Sequence, residues 1–119
     1  MSNEQRKHVR INSLFLSYIC IDKNGTIINE GIGRTLNVSQ GGILLETNFN
    51  ISSEHNLLIT IAVEDNLLDV KGKVIRCQQY DKDKYHTGVE FIEIDESALN
   101  IITKFIEIFK NTNWIKLEE

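Results

Sequence analysis

The chain has 119 residues, 41% hydrophobic and 25% charged, with a net charge of −4. That length and balance fit one soluble domain with a buried core and argue against wholesale disorder. The acidic excess weighs against a general nucleic-acid or anionic-membrane binder, because such proteins carry the basic excess that phosphate neutralisation requires.

Met1 to Arg10 is polar and charged, without an apolar stretch resembling a signal peptide. No segment has the apolar length needed to span a bilayer, so a cytoplasmic location is expected. Residues 1–10 are expected to form an N-terminal arm, and residues 11–119 the body of a single domain. From Ile11 to Ile21, β-branched and aromatic residues predict a strand. Asp22-Lys23-Asn24-Gly25 follows, and Asn-Gly between two such runs signals a hairpin. Thr26 to Val38 is the returning strand, with a break or bulge expected near Gly31 and Gly33. A turn at Gly41-Gly42 leads into a short strand from Ile43 to Thr47.

Residues 48–56 are rich in turn formers and predict a loop. Leu57 to Val63 and Leu67 to Cys77 are the next strands, with Val70, Gly72 and Val74 sharing one face and Lys71 and Lys73 the other. Asp81-Lys82-Asp83-Lys84 is a charged turn before a last strand, Tyr85 to Ile94. At Asp95 the pattern changes. Ala98, Leu99, Ile101, Ile102, Phe105, Ile106 and Phe109 recur at helical spacing, with Asp95 or Ser97 as the cap. Asn111-Thr112-Asn113 is expected to stop the helix, leaving Trp114, Ile115 and Leu117 as a short apolar tail. About six strands and one helix predict a small antiparallel barrel or sandwich with a helix over one opening.

Chemistry-bearing residues are sparse. His8, His55 and His86 lie in three separate contexts, and Cys20 and Cys77 share no metal-type spacing. The two cysteines sit in apolar runs and are expected to be buried free thiols. No Ser/His/Asp, His/Glu or Cys/His constellation and no phosphate-loop pattern occurs, so catalysis and a metal site are not expected.

Two polar motifs stand out. Arg6-Lys7-His8-Val9-Arg10 places two arginines four residues apart, in a stretch that holds four basic side chains within five positions. They would stand about 13 Å apart in an extended arm and about 6 Å apart in a helical turn. Asn37-Val38-Ser39-Gln40-Gly41-Gly42 presents an amide and a hydroxyl two residues apart, on one face if the segment is extended. Gly41 and Gly42 are expected to supply a turn with positive φ and a close backbone approach to a bulky ligand. Taken singly, the first motif reads as a solvated charge run and the second as a self-bonded turn. Strict alternation points Arg34 away from Asn37 unless a bulge intervenes, and Arg76 is expected to be a solvated arginine near a strand end.

Together and in this order, ahead of short strands and a closing helix, the two motifs resemble the PilZ domain family. Val70-Lys71-Gly72-Lys73-Val74 and Gly88-Val89-Glu90-Phe91 resemble the family's later strands. The resemblance implies a mainly β fold, a six-stranded antiparallel Greek-key barrel with a C-terminal helix. It also implies a receptor for cyclic di-GMP, a ligand and not a cofactor, bound by Arg6, Arg10, Asn37, Ser39 and Gly42. Arginine suits that ligand, since its planar fork bonds phosphate or the guanine O6/N7 edge and its face stacks on purines. The expected role is an adaptor without catalysis: ligand draws the arm onto the barrel and changes a surface read by a downstream protein. Neither nucleic acid nor membrane insertion is expected. The rival reading is a PilZ-like protein-interaction scaffold that binds no nucleotide.

Overall fold

Hydrophobic alternation with a period of two builds six strands, and their inward faces make one core. In the computed structural model residues 15–118 are described, with side chains through Asn111. The strands are β1 (Phe15–Ile21), β2 (Ile27–Val38), β3 (Gly42–Thr47), β4 (Asn56–Val63), β5 (Asn66–Asp81) and β6 (Lys84–Ile92), followed by helix α1 (Glu96–Glu118). Leu57, Ile59, Ile61 and Val63 of β4 are all buried, and Leu16, Tyr18 and Cys20 of β1 face the same interior. Residues 11–14 of the expected first strand lie outside the described residues.

The strands close into a barrel in the order β1-β2-β3-β6-β5-β4, every neighbouring pair antiparallel. The connection from β3 to β4 lays β4 beside β1, the 4-1-2-3 arrangement of a Greek key. At the first hairpin, the Asp22 carboxylate accepts from the Asn24 and Thr26 amides at 2.8 and 2.9 Å, and Gly25 takes φ 83°. The two-residue turns of the β4–β5 and β5–β6 hairpins place Glu64 at φ 56° and Asp83 at φ 60°.

Three departures from the expected pattern have physical causes. Gly31 and Gly33 are not themselves bulged; the irregularities of β2 lie on either side of them, at Ile28 against β1 and between Thr35 and Asn37 against β3. The glycines are there because the Tyr18 ring lies against them, and a Cβ on Gly31 would come within 2.9 Å of the Tyr18 hydroxyl oxygen. Strand β5 runs past Cys77 to Asp81, because β6 pairs with it along its whole polar end. The helix does not stop at Asn111-Thr112-Asn113 but continues to Glu118, so Trp114, Ile115 and Leu117 are helical positions. Asparagine and threonine are weak helix formers, not breakers, and a helix already nucleated extends through them.

Ala98, Ile102, Phe105 and Phe109 form the buried stripe of α1, and the helix packs on β2, β4 and β5. Among the described residues no helix is long and apolar enough to cross a membrane. Cys20 is buried and Cys77 half-buried, both free. Burial pushes the Cys20 thiol pKa up. Cys77 accepts from the Ile51 amide at 3.4 Å and shares a hydrogen bond with Thr87 at 3.2 Å.

Asp95 caps the helix: its Oδ1 accepts from the Ala98 amide at 2.8 Å, and its carbonyl accepts from the Leu99 amide. Asp95→Ala is expected to destabilise the fold by about 1 kcal/mol and lower Tm by about 4 °C in a thermal melt, while Asp95→Asn loses far less.

Candidate functional site

The second motif begins on the bulge of β2. Thr35 pairs with Leu45 and Asn37 with Leu44, so Leu36 is the extra residue and the alternation is reset. Arg34 and Asn37 consequently both lie on the outer face. After Val38 the chain turns, with the Ser39 amide donating to the Gly42 carbonyl at 2.9 Å and the Phe91 amide donating to the Gly41 carbonyl at 2.9 Å. The turn is thus stitched to β6.

Neither Gly41 nor Gly42 adopts positive φ, in contrast to the expectation from sequence. Gly42 is needed for another reason. A Cβ there would sit 2.3 Å from the Val89 carbonyl oxygen, so the close approach is to the β6 backbone. Gly41 has nothing within 4 Å of the same position.

Above this closure lies an open groove of about 510 Å³. Asn37, Ser39 and Gly42 line it, together with Leu44, Ile75 and Arg76. The Asn37 Oδ1 accepts from the Val38 amide at 2.9 Å, which turns the side-chain NH2 outward as a donor. The Ser39 hydroxyl has no partner among the described residues. Arg76 owes its place to a second bulge, between Val74 and Arg76, which turns both Ile75 and Arg76 outward. Arg76 is mid-strand, not at a strand end, and its side chain runs over Gly88, whose Cβ position would lie 3.4 Å from the Arg76 Cγ. Its pattern was legible: Val70, Gly72 and Val74 face inward at even numbers, whereas Cys77 is odd, and such a parity break requires an inserted residue.

Arg34 is held elsewhere. Its Nε and Nη2 donate to the two Glu46 carboxylate oxygens at 3.3 Å each, and Lys84 lies 3.9 Å from the same carboxylate. The Tyr80 hydroxyl also donates to Glu46, and the Tyr80 and His86 rings pack at 4.0 Å. The hydrogen bond from Arg34, then that from Tyr80, holds the Glu46 pKa below the usual glutamate range, and the Tyr80 hydroxyl pKa rises because it bonds a carboxylate. This network ties β2, β3, β5 and β6 together beside the groove. On the other side of the turn, Val38, Ser39 and Gln40 share a second cleft of about 430 Å³ with Ile106, Glu107 and Lys110 of α1.

The structure therefore brings together three of the five sequence-predicted site residues, Asn37, Ser39 and Gly42. Arg6 and Arg10 lie outside the described residues. Among the described residues no group of His, Cys, Asp and Glu side chains is arranged to hold a metal ion.

Comparison with known proteins bears on the fold. The PilZ domain family profile matches residues 4–107, and the chain belongs to that family. The fold is similar to the PilZ domain with c-di-GMP of YcgR from Escherichia coli, at TM-score 0.65 and 9% identity, covering 88% of each chain. It is also similar to the PilZ domain of CeSA from a cellulose-synthesizing bacterium, at TM-score 0.56 and 11% identity, covering 81% of this chain and 93% of that one. At such identities the likeness is one of fold. No curated protein sequence matches the chain.

Two outcomes test this site. Gly42→Ala is expected to lose about 1–3 kcal/mol of stability in urea unfolding, because the Val89 backbone cannot yield, while Gly41→Ala stays within about 0.5 kcal/mol. A depressed carboxylate pKa stabilises the fold above the usual glutamate range and ceases to do so as pH falls through the depressed value. Glu46→Gln is accordingly expected to be less stable than the parent chain at neutral pH, with the gap closing on acidification, measured by urea midpoints across an acid pH series.

Proposed function

We propose that the chain is a cyclic di-GMP receptor that acts as a non-catalytic adaptor in the cytoplasm. The observation that carries this reading is the groove, where the Asn37 amide, the Ser39 hydroxyl and the Arg76 guanidinium converge over an apolar floor of Leu44 and Ile75. Amide and hydroxyl groups suit guanine edges and ribose, a guanidinium suits a phosphate or purine face, and aliphatic side chains offer van der Waals contact to a base. Family membership supports the same ligand, since the family profile spans residues 4–107 and so includes both arginines. The YcgR PilZ domain, whose fold this one shares, is a complex with c-di-GMP.

In the proposed mechanism, Arg6 and Arg10 of the arm (residues 1–10) close over ligand that lies on the barrel of residues 11–119. Asn37 and Ser39 contact it, and Gly42 keeps the turn against β6. Arg76 is a further contact from the opposite wall. Ligand binding brings the arm onto the barrel and so creates or hides a surface for a downstream protein; the size of that effect is set by the ligand's differential affinity for the two arrangements. The Ser39 turn lies between the groove and α1, which gives the bound state a route to the helix surface.

Isothermal titration of the full chain with cyclic di-GMP, with GTP and cyclic di-AMP as controls, tests the reading. Selective saturable binding is expected. Loss of charged hydrogen bonds of about 1.5–3 kcal/mol in Arg10→Ala weakens affinity roughly 10- to 150-fold without changing the melt. No binding by folded protein would leave a protein-interaction scaffold in place of a receptor.

A further inference from the structure

Strand β2 is twelve residues long, yet only Arg34–Val38 pairs with β3. Along its other edge, Ile27 to Arg34 pairs with β1. Among the described residues, no strand or loop backbone hydrogen-bonds the outer edge of Ile27–Ile32. An extended strand offers outward N–H and C=O groups at every second residue, a spacing of about 6.6 Å that another extended backbone matches.

Strand β5 also outruns its neighbour, since β4 pairs with it only as far as Lys73. There the chain crosses the first part of the remaining edge: the Val74 amide reaches the His55 carbonyl, and the Ile51 amide donates to the Cys77 Sγ. Nothing comparable lies along Ile27–Ile32 among the described residues. The β2 edge is also firmly backed. Tyr18, only 1% exposed, lies directly under Gly31 and Gly33.

The side chains at this edge are unusual for a solvated strand. Ile27, Ile28 and Ile32 are 57%, 41% and 62% exposed. Glu30 and Ile32 face outward opposite Ile19 and Ser17 on β1, and Ile28, the extra residue of a bulge set against Cys20 and Ile21, lies at the exposed end of the same stretch. An added strand would therefore meet apolar, acidic and apolar positions in turn.

We propose that the Ile27–Ile32 edge of β2 accepts an extended peptide segment of a partner protein as a seventh strand, with a basic residue opposite Glu30 and β-branched apolar residues opposite Ile28 and Ile32. Backbone hydrogen bonds supply the attachment, and the alternate side chains supply the selectivity. A second copy of this chain fits poorly. The two-fold antiparallel register that matches Ile28 with Ile32 sets Glu30 against Glu30, and like charges directly opposite destabilise a strand pair.

The test uses full-length, isotope-labelled protein and a capped peptide, Thr-Val-Thr-Lys-Thr-Val-Thr, with a control carrying Glu in place of Lys. Chemical-shift titration to millimolar peptide should show saturable shifts centred on Ile27–Ile32, with the Lys peptide favoured about tenfold over the control. Hydrogen exchange of alternate amides in this stretch should slow on binding, and Glu30→Lys, an exposed change, should reverse the peptide preference. The proposal is overturned by no saturable shift, by equal affinity for both peptides, or by shifts elsewhere on the barrel. Amides already protected in the free protein would also overturn it; sedimentation would then tell a self-paired dimer from an edge covered by the chain's own residues.

Discussion

Val89 lies between two glycines, and both the closure of the barrel and the floor of the site pass through that contact. A Cβ on Gly42 would sit 2.3 Å from the Val89 carbonyl oxygen, and one on Gly72 would sit 2.2 Å from its Cγ1. The first approach lets β3 and the motif turn close onto β6, and the second lets β5 close from the other side. Because backbone atoms are involved at Gly42, no rotamer change relieves the contact. The Phe91 amide then bonds the Gly41 carbonyl, which sets the height of the turn over the groove. A residue that looks like a ligand contact in the motif is thus first a condition of the fold.

Two bulges turn this closed scaffold into a surface with chemistry on it. One resets β2 so that Arg34 and Asn37 both face outward; the other resets β5 so that Ile75 and Arg76 do. The two arginines then have different fates. Arg34 is matched to Glu46, which also receives Tyr80 and approaches Lys84, and the network stabilises four strands. Arg76 lines the groove, where its charge stays available to an anion. Partnering, not residue type, separates a cation held within the scaffold from one that faces the groove.

The strand set, the hairpins and the helix were legible because each rests on local rules. Alternation in Leu57–Val63, the Asp22–Gly25 turn and the four-residue steps of α1 all report backbone preferences over short distances. Boundaries were less legible where pairing extended a polar segment, as β6 does for β5 to Asp81, or where a helix ran on through Asn111-Thr112-Asn113. The glycines of β2 did not give the exact position of its bulges, which lie at Ile28 and between Thr35 and Asn37, because Gly31 and Gly33 make room for the Tyr18 ring.

By itself, the sequence determined the strand and helix periods, hence a small barrel or sandwich with a closing helix, and its two polar motifs carried the resemblance that implies a PilZ-type barrel. It also placed Asn37, Ser39 and Gly42 at one site, since they are neighbours along the chain. Only the tertiary structure decided which distant residues join them. Arg76 reaches the groove through a bulge thirty-odd residues away in sequence, Arg34 is held by Glu46 across a strand pair, and β3 pairs with only the Arg34–Val38 part of β2, whose earlier edge has no strand neighbour among the described residues. Such outcomes depend on register between strands. A shift of one residue reverses every side chain, and register is settled by contacts that no local pattern records.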